Sequence, residues 1–375
     1  MSVEIRKVET VKDLKKFVRF NIDLYKNCQY HVPGLIDEEI MTLSKEKNPA
    51  FETSDAAYFL AYKDNRIVGR IAGIVNHKSN EQWNQKYVRF GFVDFIDDDE
   101  VVDALFGAVE EWARGFGLDH IHGPLGFTDL DHEGMLVEGF DLIGTMATIY
   151  NYAYYPKQLE RLGFVKDLDW REYKIYIPDR VPEKHLRIGE IVKKKYGLKI
   201  LKFKRRKDIW PYAQRIFKAL NKAYAPLYGY VELSQKQIDY YVNMYIPMLR
   251  LDMITIILRE EDDEVVGFAI TMPNLSYALR KAKGSFFPFG FIHLLKALYS
   301  KPKIIDLYLM GVLPEYQGKG VNALIFNDLI PVYIGLGATY AESNPELESN
   351  NAVQAQWDYF KTEHHKTRRV FIKKL

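Results

Sequence analysis

The sequence has little that would support disulfide, membrane-spanning or polyanion-binding chemistry. Cys28 is its only cysteine among 375 residues, which excludes an intramolecular disulfide and a multi-cysteine zinc site. The 52 basic and 50 acidic side chains leave a net charge of +2, too small to attract nucleic acid. No apolar run is long enough to cross a bilayer, and the charged segment 1–16 is unlike a signal peptide. We therefore expect a cytoplasmic protein that does not bind nucleic acid.

The chain contains a repeated pattern of secondary structure. Residues 58–75 and 253–270 each have two β-rich runs separated by an acidic or Asp/Asn turn, which predicts a β-hairpin. Each hairpin is followed by another strand, at 89–94 and 304–309, and then by a helical apolar stripe and a Gly-x-Gly exit. Because the offsets agree from element to element, we favour a duplication over a chance likeness.

This alternation of elements predicts a fold of two α/β units with mixed sheets. The length also predicts two domains, and we divide the chain into 1–180 and 181–375. Two insertions, 123–153 and 273–303, break the symmetry of the repeat. In the second half, Pro331 should kink or end the helix that follows the strand.

The most specific motif lies between that strand and that helix. It runs from Gly311 to Val321 and reads Gly-Val-Leu-Pro-Glu-Tyr-Gln-Gly-Lys-Gly-Val. Glycines on both sides of a lysine let backbone N–H groups converge, and the helix N-terminus adds donors and the positive end of its dipole. This combination suits a diphosphate. The motif is not a Walker A loop, because Gly320 stands where Ser or Thr is required, and it lacks the third glycine of the Rossmann fingerprint.

These residues resemble motif A of the GCN5-related N-acetyltransferase (GNAT) superfamily. Its Arg/Gln-x-x-Gly-x-Gly/Ala core holds the pyrophosphate of acetyl-CoA or another acyl-CoA. Gln317 and Gly320 match this core, whereas Asn322 occupies its last position. The resemblance implies an acyl-CoA co-substrate bound by the following residues: Val312, Leu313, Gln317, Gly318, Lys319, Gly320, Val321 and Asn322.

The order of elements is similar to GNAT in both halves, which implies two tandem GNAT-like domains. The tandem arrangement resembles a bacterial group that includes proteins linked to N-acylation of sphingoid bases. At the place of the glycine loop, the first half has the acidic residues 97–100, which suit helix caps but would repel a diphosphate. We therefore expect the first domain to be degenerate and to shape the acceptor side, with one acyl-CoA site in the second domain.

The resemblance implies transfer of an acetyl or longer acyl group to a primary amine, either a small metabolite or a lipid amine such as a sphingoid base. In GNAT proteins the strand after the motif A helix ends beside the reacting centre. Glu342 is therefore the candidate base and Asn344 a positioning group, with a solvent-facing carboxylate as the alternative for Glu342. The usual acid is a Tyr seven residues after an Asn, and counting from Asn350 that place holds Trp357. This departure leaves open a non-catalytic protein that binds CoA or an acyl chain.

The two insertions have open alternatives. In the first, His132 together with Glu133 or Glu138 can serve as a base for the incoming amine, or the loop can simply pack its tyrosines on the core. Its His and Asp residues lack an i,i+4 ligand pair, so we expect no metal. The second insertion contains the aromatic and basic segment 285–299, for which there are three alternatives. It contacts the inner face of an anionic membrane, it lines a channel for an acyl chain, or it packs on the domain as a cap. The oligomeric state stays open.

Overall fold

The computed structural model describes residues 2–375 and divides them into two compact units. The first unit comprises the chain up to Arg171 together with Ser276–Leu294 and Lys366–Leu375. The second comprises Glu172–Leu275 and Leu295–His365. The units are defined by packing, so each contains segments that are distant in sequence. The division at residues 180 and 181 concerns the repeated sequence and stays a prediction.

The predicted hairpins, strands and crossover helices occur in the predicted order, with further helices and strands between them. Up to residue 176 they are β1 (Glu4–Lys7), α1 (Val11–Leu24), α2 (Ile36–Leu43), β2 (Ser54–Lys63), β3 (Arg66–Asn76), α3 (His77–Gln82), β4 (Tyr87–Phe95), α4 (Asp99–Arg114), β5 (His120–Gly123), β6 (Met135–Glu138), α5 (Tyr154–Arg161) and β7 (Val165–Tyr176). From residue 183 they are α6 (Glu183–Tyr196), β8 (Leu198–Leu201), α7 (Trp210–Tyr224), α8 (Gln235–Tyr245), β9 (Ile254–Arg259), β10 (Val265–Pro273), α9 (Ser276–Ala282), α10 (Gly290–Tyr299), β11 (Ile304–Val312), α11 (Asn322–Leu336), β12 (Tyr340–Ser343), β13 (Glu346–Leu347), α12 (Asn351–Gln354) and β14 (Thr362–Lys374).

In the first unit, β1, β2, β3 and β4 form an antiparallel sheet, and α4 crosses over to β5, which pairs parallel with β4. The final strand β14 then pairs antiparallel with β5. Helix α4 packs closely on the sheet through two glycines. A Cβ atom at Gly69 would lie 2.6 Å from Leu105, and one at Gly73 would lie 2.9 Å from Trp112. Because neither position carries a side chain, Leu105 and Trp112 of α4 can pack directly against the sheet.

The second unit repeats this arrangement with its own strands. Strands β8, β9, β10 and β11 are antiparallel, α11 crosses over, and β12 pairs parallel with β11. The C-terminal part of β7 then pairs antiparallel with β12. The same succession of antiparallel strands, crossover helix, parallel strand and final antiparallel strand therefore occurs twice. This confirms the predicted class of two α/β units with mixed sheets.

Pro331 does not end its helix, because α11 continues through it to Leu336, and the alternative that it kinks the helix stays a prediction. Proline removes one backbone N–H from the helix, a cost that packing must offset. Leu329, Ile330 and Tyr333 on the same stretch are all buried. The Tyr333 hydroxyl also donates a hydrogen bond to Thr271 Oγ1 on β10, at 2.9 Å. These contacts hold the helix together beyond the proline.

The first insertion packs its tyrosines in the core of the first unit. Tyr150 and Tyr155 are buried, and the Tyr25 hydroxyl donates to the Tyr155 hydroxyl at 2.8 Å. The Phe95 backbone N–H donates to the same Tyr155 oxygen at 3.0 Å. Tyr155 follows the insertion on α5, so its contacts tie the start of that helix to β4. Among the described residues, no helix is both long and apolar enough to pass through a bilayer.

Candidate functional site

The glycine loop lies between β11 and α11 and requires glycine at two positions. Gly318 and Gly320 have φ angles of +69° and +81°, a region that residues with a Cβ atom rarely adopt. At Gly320, a Cβ atom would also lie 2.7 Å from Cγ2 of Ile188 on α6. The backbone therefore turns sharply against α6 before it enters the helix. This turn brings the loop amides to the N-terminus of α11.

The side chains of the loop and the start of α11 make a cationic, donor-rich surface. Gln317 folds back and donates from Nε2 to the Val312 carbonyl at 3.0 Å. Lys319 is exposed, and its Nζ lies 5.5 Å and 5.7 Å from the ring centroids of Tyr196 and Tyr316. The first N–H groups of a helix have no partner inside the helix and carry the positive end of the dipole. This arrangement suits a phosphate group, as the sequence predicts.

Strands β11 and β12 are paired over only part of their length. The parallel ladder runs from Ile304 opposite Tyr340 to Leu307 opposite Ser343 and goes no further. Beyond it, β11 continues along β10 to Val312, while Asn344 Nδ2 donates to the Tyr308 carbonyl at 2.6 Å. The predicted positioning residue Asn344 therefore sits where the two strands part and fixes the exposed edge of β11.

Glu342, the predicted base, lies on β12 opposite Asp306 of β11. Its side chain is only 4% exposed, so the alternative of a solvent-facing carboxylate is wrong. The carboxylate oxygen Oε1 is 3.5 Å from Nε2 of His365 on β14. Glu172 of β7 lies close to both. Glu342 thus belongs to a buried cluster of three ionisable side chains rather than standing alone.

A second carboxylate, Glu346, was missed by the sequence analysis. It lies on β13, and Trp357 donates its indole N–H to both carboxylate oxygens, at 3.0 Å and 3.1 Å. Burial raises the pKa of Glu346 to about 7, although hydrogen bonds from Trp357 and Ser343 act in the opposite direction. Trp357, which occupies the place of the expected acid, therefore positions a carboxylate instead. Only its place just after the strand end distinguishes Glu346 in the sequence.

An apolar pocket of the second unit lies between α11 and the ends of β7, β11 and β12. Its cavity volume is about 20 Å³, so the pocket is narrow in this structure. Trp357 forms part of its wall and so links the pocket to Glu346. The remaining lining residues are apolar or aromatic: Ile175, Tyr176, Ile177, Pro178, Leu307, Met310, Phe326, Leu329, Ile330, Tyr333, Ala341 and Phe360. Such a lining suits a hydrocarbon chain or a flexible uncharged arm.

The corresponding place in the first unit carries acidic caps instead of a glycine loop. Asp98 caps α4 by accepting from the Glu100 and Val101 backbone N–H groups at 3.1 Å and 3.4 Å. Gln158 Nε2 donates to the side chains of Asp97 and Asp99, both at 2.9 Å. The Asp98 carboxylate already uses donors of the helix N-terminus, and the negative charge of the three carboxylates repels phosphate.

His132 and Glu138, the predicted residues of the first insertion, both belong to the first unit. His132 is exposed, and its Nε2 contacts the Met146 carbonyl at 2.9 Å. Glu138 accepts a hydrogen bond from the Thr367 hydroxyl of β14. Each side chain thus has its own partner. Their role as a base for the amine stays a prediction.

The His and Asp residues in and beside the first insertion, for which we expect no metal, contact other groups. His120 Nδ1 lies 2.7 Å from Asp119, and His122 Nε2 lies 2.8 Å from Asp167. Asp131 accepts from two backbone N–H groups. Across residues 2–375, the potential metal-ligand group is instead Glu172, Glu342 and His365.

Two curated bacterial proteins resemble the chain over nearly its whole length, whereas no protein-family model matches it. Protein YghO of Escherichia coli (strain K12) is 28% identical over 97% of this chain and 93% of its own. Bacterial ceramide synthase of Caulobacter vibrioides (strain NA1000 / CB15N) is 26% identical over 98% of this chain and 96% of its own.

Solved structures show the same fold at low sequence identity. A tandem GNAT protein from the clavulanic acid biosynthesis pathway has a TM-score of 0.56 at 10% identity and covers 100% of this chain and 98% of its own. A GCN5-related N-acetyltransferase from Sphaerobacter thermophilus has a TM-score of 0.51 at 10% identity, covering 99% and 95%. The resemblance stated from the sequence is therefore confirmed, and the chain has the fold of the tandem GNAT proteins.

Proposed function

We propose that this protein is an N-acyltransferase that moves an acyl group from acyl-CoA to a primary amine. The observation that carries the proposal is the glycine loop at the start of α11, set beside two strands that part after Leu307 and Ser343. The loop supplies amide donors and Lys319 for the diphosphate of CoA. The parted strands expose the edge of β11 to the pantetheine arm, which can hydrogen-bond there like an additional strand.

The CoA-binding residues in this proposal are those of the sequence motif. The loop residues Gln317 to Val321 and the helix residue Asn322 surround the diphosphate, while Val312 and Leu313 contribute backbone at the end of β11. In this proposal the apolar side chains behind Trp357 move apart to receive the distal end of the thioester, and they favour a hydrocarbon chain over a charged group. Longer acyl groups are therefore preferred to acetyl in this proposal.

Glu346 is the base in the proposed reaction. Its carboxylate takes one proton from the ammonium, and the free amine attacks the thioester carbonyl. The new C–N bond forms as the C–S bond breaks, and the second amine proton passes to the departing CoA thiolate. Trp357 holds both oxygens of Glu346 and keeps the carboxylate oriented. Asn344 fixes the β11 backbone beside the reacting carbonyl, and Glu342 supports the site from the neighbouring strand.

The acceptor in this proposal is a lipid amine of the sphingoid-base type. Support comes from the relative in Caulobacter vibrioides, whose name denotes ceramide synthesis, that is, formation of an amide of a sphingoid base. The apolar pocket supports the same substrate class. His132 and Glu138 of the first unit are proposed to serve the acceptor side. A small-metabolite acetyltransferase and a non-catalytic acyl-CoA binder are the competing functions, and Trp357 in place of the usual acid favours the latter.

A lipid acceptor also calls for contact with a membrane, which we assign to segment 285–299. Phe287 and Phe289 are 68% and 69% exposed, and Ile292, Leu295 and Tyr299 are exposed on α10. No acidic residue occurs between 274 and 305, whereas lysines and an arginine accompany the aromatic residues. Aromatic rings at the headgroup level together with basic side chains favour an anionic membrane surface.

Reversing the charge of Lys319 tests the CoA site. We expect Lys319→Glu to weaken acyl-CoA binding by roughly tenfold to a hundredfold, because it places a carboxylate beside the diphosphate. Lys319 is exposed, so the fold should be unaffected. The dissociation constants of palmitoyl-CoA and free CoA are measured by isothermal titration calorimetry. Lys218→Glu, an exposed charge reversal on α7, is the matched control and should bind as the wild type does. Equal affinity in both variants would place CoA elsewhere.

The pH dependence of turnover tests Glu346. Its pKa of about 7 means that the carboxyl is protonated below neutrality and cannot accept a proton. We therefore expect kcat/KM to rise with pH through about 7 in the wild type. Glu346→Gln should lower kcat by about 10²- to 10⁴-fold and remove that rise.

The pH dependence of the free energy of unfolding distinguishes a structural role of Glu346 from a catalytic one. Folding raises the pKa of Glu346 above 4.5, so the folded state holds the proton between about pH 4.5 and 7. The free energy of unfolding should therefore fall as pH rises through this window, and Glu346→Gln should flatten that slope. A variant that loses this slope but keeps the wild-type pH–rate profile would show that Glu346 is not the base.

Replacing the exposed rings tests membrane contact. We expect the double substitution Phe287→Ser and Phe289→Ser to abolish sedimentation with phosphatidylglycerol-containing vesicles, because these rings are the most exposed apolar groups of the segment. The control is Val11→Ser with Val165→Ser, which removes valines that are 67% and 61% exposed on other elements. Equal vesicle binding in both double variants, or none in the wild type, contradicts the assignment.

A further inference from the structure

Three ionisable side chains that are far apart in sequence meet inside the second unit. They are Glu172 of β7, Glu342 of β12 and His365 of β14. We propose that they bind one divalent transition-metal ion, Zn²⁺ or Mn²⁺. The inference does not depend on the acyl-transfer proposal.

The strand pairing brings these residues to one place. Strand β12 runs antiparallel to β7, and Glu342 is paired with Lys174. Glu172 precedes Lys174 by two residues, so its side chain lies on the same face of the sheet. Lys174 in turn reaches Glu363 of β14 at 3.9 Å. His365 follows Glu363 by two residues and therefore shares its face. The cluster is thus formed by residues of three neighbouring strands. Because these strands are far apart in the sequence, no sequence motif predicts it.

The distances in the cluster match ligands around a single ion. One ligand atom from each residue lies within 4.8 Å of the other two. Two ligands bound at about 2.1 Å in tetrahedral geometry are roughly 3.4 Å apart. The distance between His365 Nε2 and Glu342 Oε1 is 3.5 Å. That separation exceeds the length of about 2.8 Å that is typical of a charge-assisted hydrogen bond. The pair is therefore spaced for an ion between the two atoms.

The types of donor atom and the burial of the three side chains also favour a divalent metal ion. Glu172 and Glu342 are 0% and 4% exposed, and the His365 side chain is 3% exposed. Two carboxylates buried within 4.8 Å of each other repel, and a cation bound between them lowers that repulsion. A divalent ion compensates both charges. One imidazole nitrogen and two carboxylate oxygens suit Zn²⁺ or Mn²⁺, with water completing the coordination.

This differs from the expectation of no metal, which rested on the His and Asp residues of the first insertion. Those residues are engaged with other partners, whereas Glu172, Glu342 and His365 come from three separate strands. A protonated His365 that compensates one carboxylate without any metal is the competing arrangement. Metal content distinguishes the two.

The test measures metal binding by the full-length protein after removal of any affinity tag. The protein is stripped with a chelator and dialysed against Zn²⁺ or Mn²⁺, and bound metal is then counted by mass spectrometry. We expect one ion per chain and a higher melting temperature in its presence. His365→Asn and Glu172→Gln should each weaken binding by roughly a hundredfold, since each removes one of three protein ligands.

The matched controls are His364→Asn and Glu363→Gln, which change exposed neighbours on the same strand and should keep the metal. Should His365→Asn fail to fold, Glu172→Gln and its control carry the comparison. Wild-type protein that binds neither ion overturns the proposal. Retention of wild-type affinity in Glu172→Gln overturns it as well, because the ion would then be bound elsewhere.

Discussion

The partial pairing of β11 and β12 is the constraint on which the rest of the second unit depends. The ladder ends at Leu307 and Ser343, so the edge of β11 beyond it is free of its parallel neighbour. Asn344 donates a hydrogen bond to the Tyr308 carbonyl on this edge. Two residues later, Glu346 accepts a hydrogen bond from Trp357. The same β11 runs into the glycine loop and α11. One interruption in a sheet thereby brings a glycine turn, a strand edge without its parallel neighbour and a carboxylate of raised pKa into one unit.

The two units show that a repeated topology need not keep its chemistry. Both have a crossover helix after the fourth antiparallel strand, but α4 starts with Asp98 as its cap and α11 starts after two glycines and Lys319. A capping carboxylate occupies N–H donors that an anion would need, whereas no side chain caps the start of α11. This difference at the two helix starts is the basis for our proposal that only the second unit holds a diphosphate.

The sequence predicted those features that depend on local pattern. Hairpins, the crossover helices and the glycine loop are encoded by neighbouring residues, and the positive φ angles of Gly318 and Gly320 agree with the motif. Features made by tertiary packing were missed or mistaken. Pro331 does not end α11, because burial of the surrounding apolar side chains offsets the lost hydrogen bond. Glu346 depends on Trp357 eleven residues away, and the cluster around Glu342 joins three strands, so neither leaves a signature in the sequence.

The most direct test of the account is whether thioester cleavage depends on an amine. The wild-type protein is incubated with palmitoyl-CoA or acetyl-CoA, with and without sphinganine or a small primary amine, and free CoA and amide are both quantified. The account predicts that CoA and amide appear in equal amounts, that neither appears without amine, and that palmitoyl-CoA with sphinganine is the preferred pair. Tight CoA binding without amide formation from any pair would contradict it and identify the protein as an acyl-CoA binder.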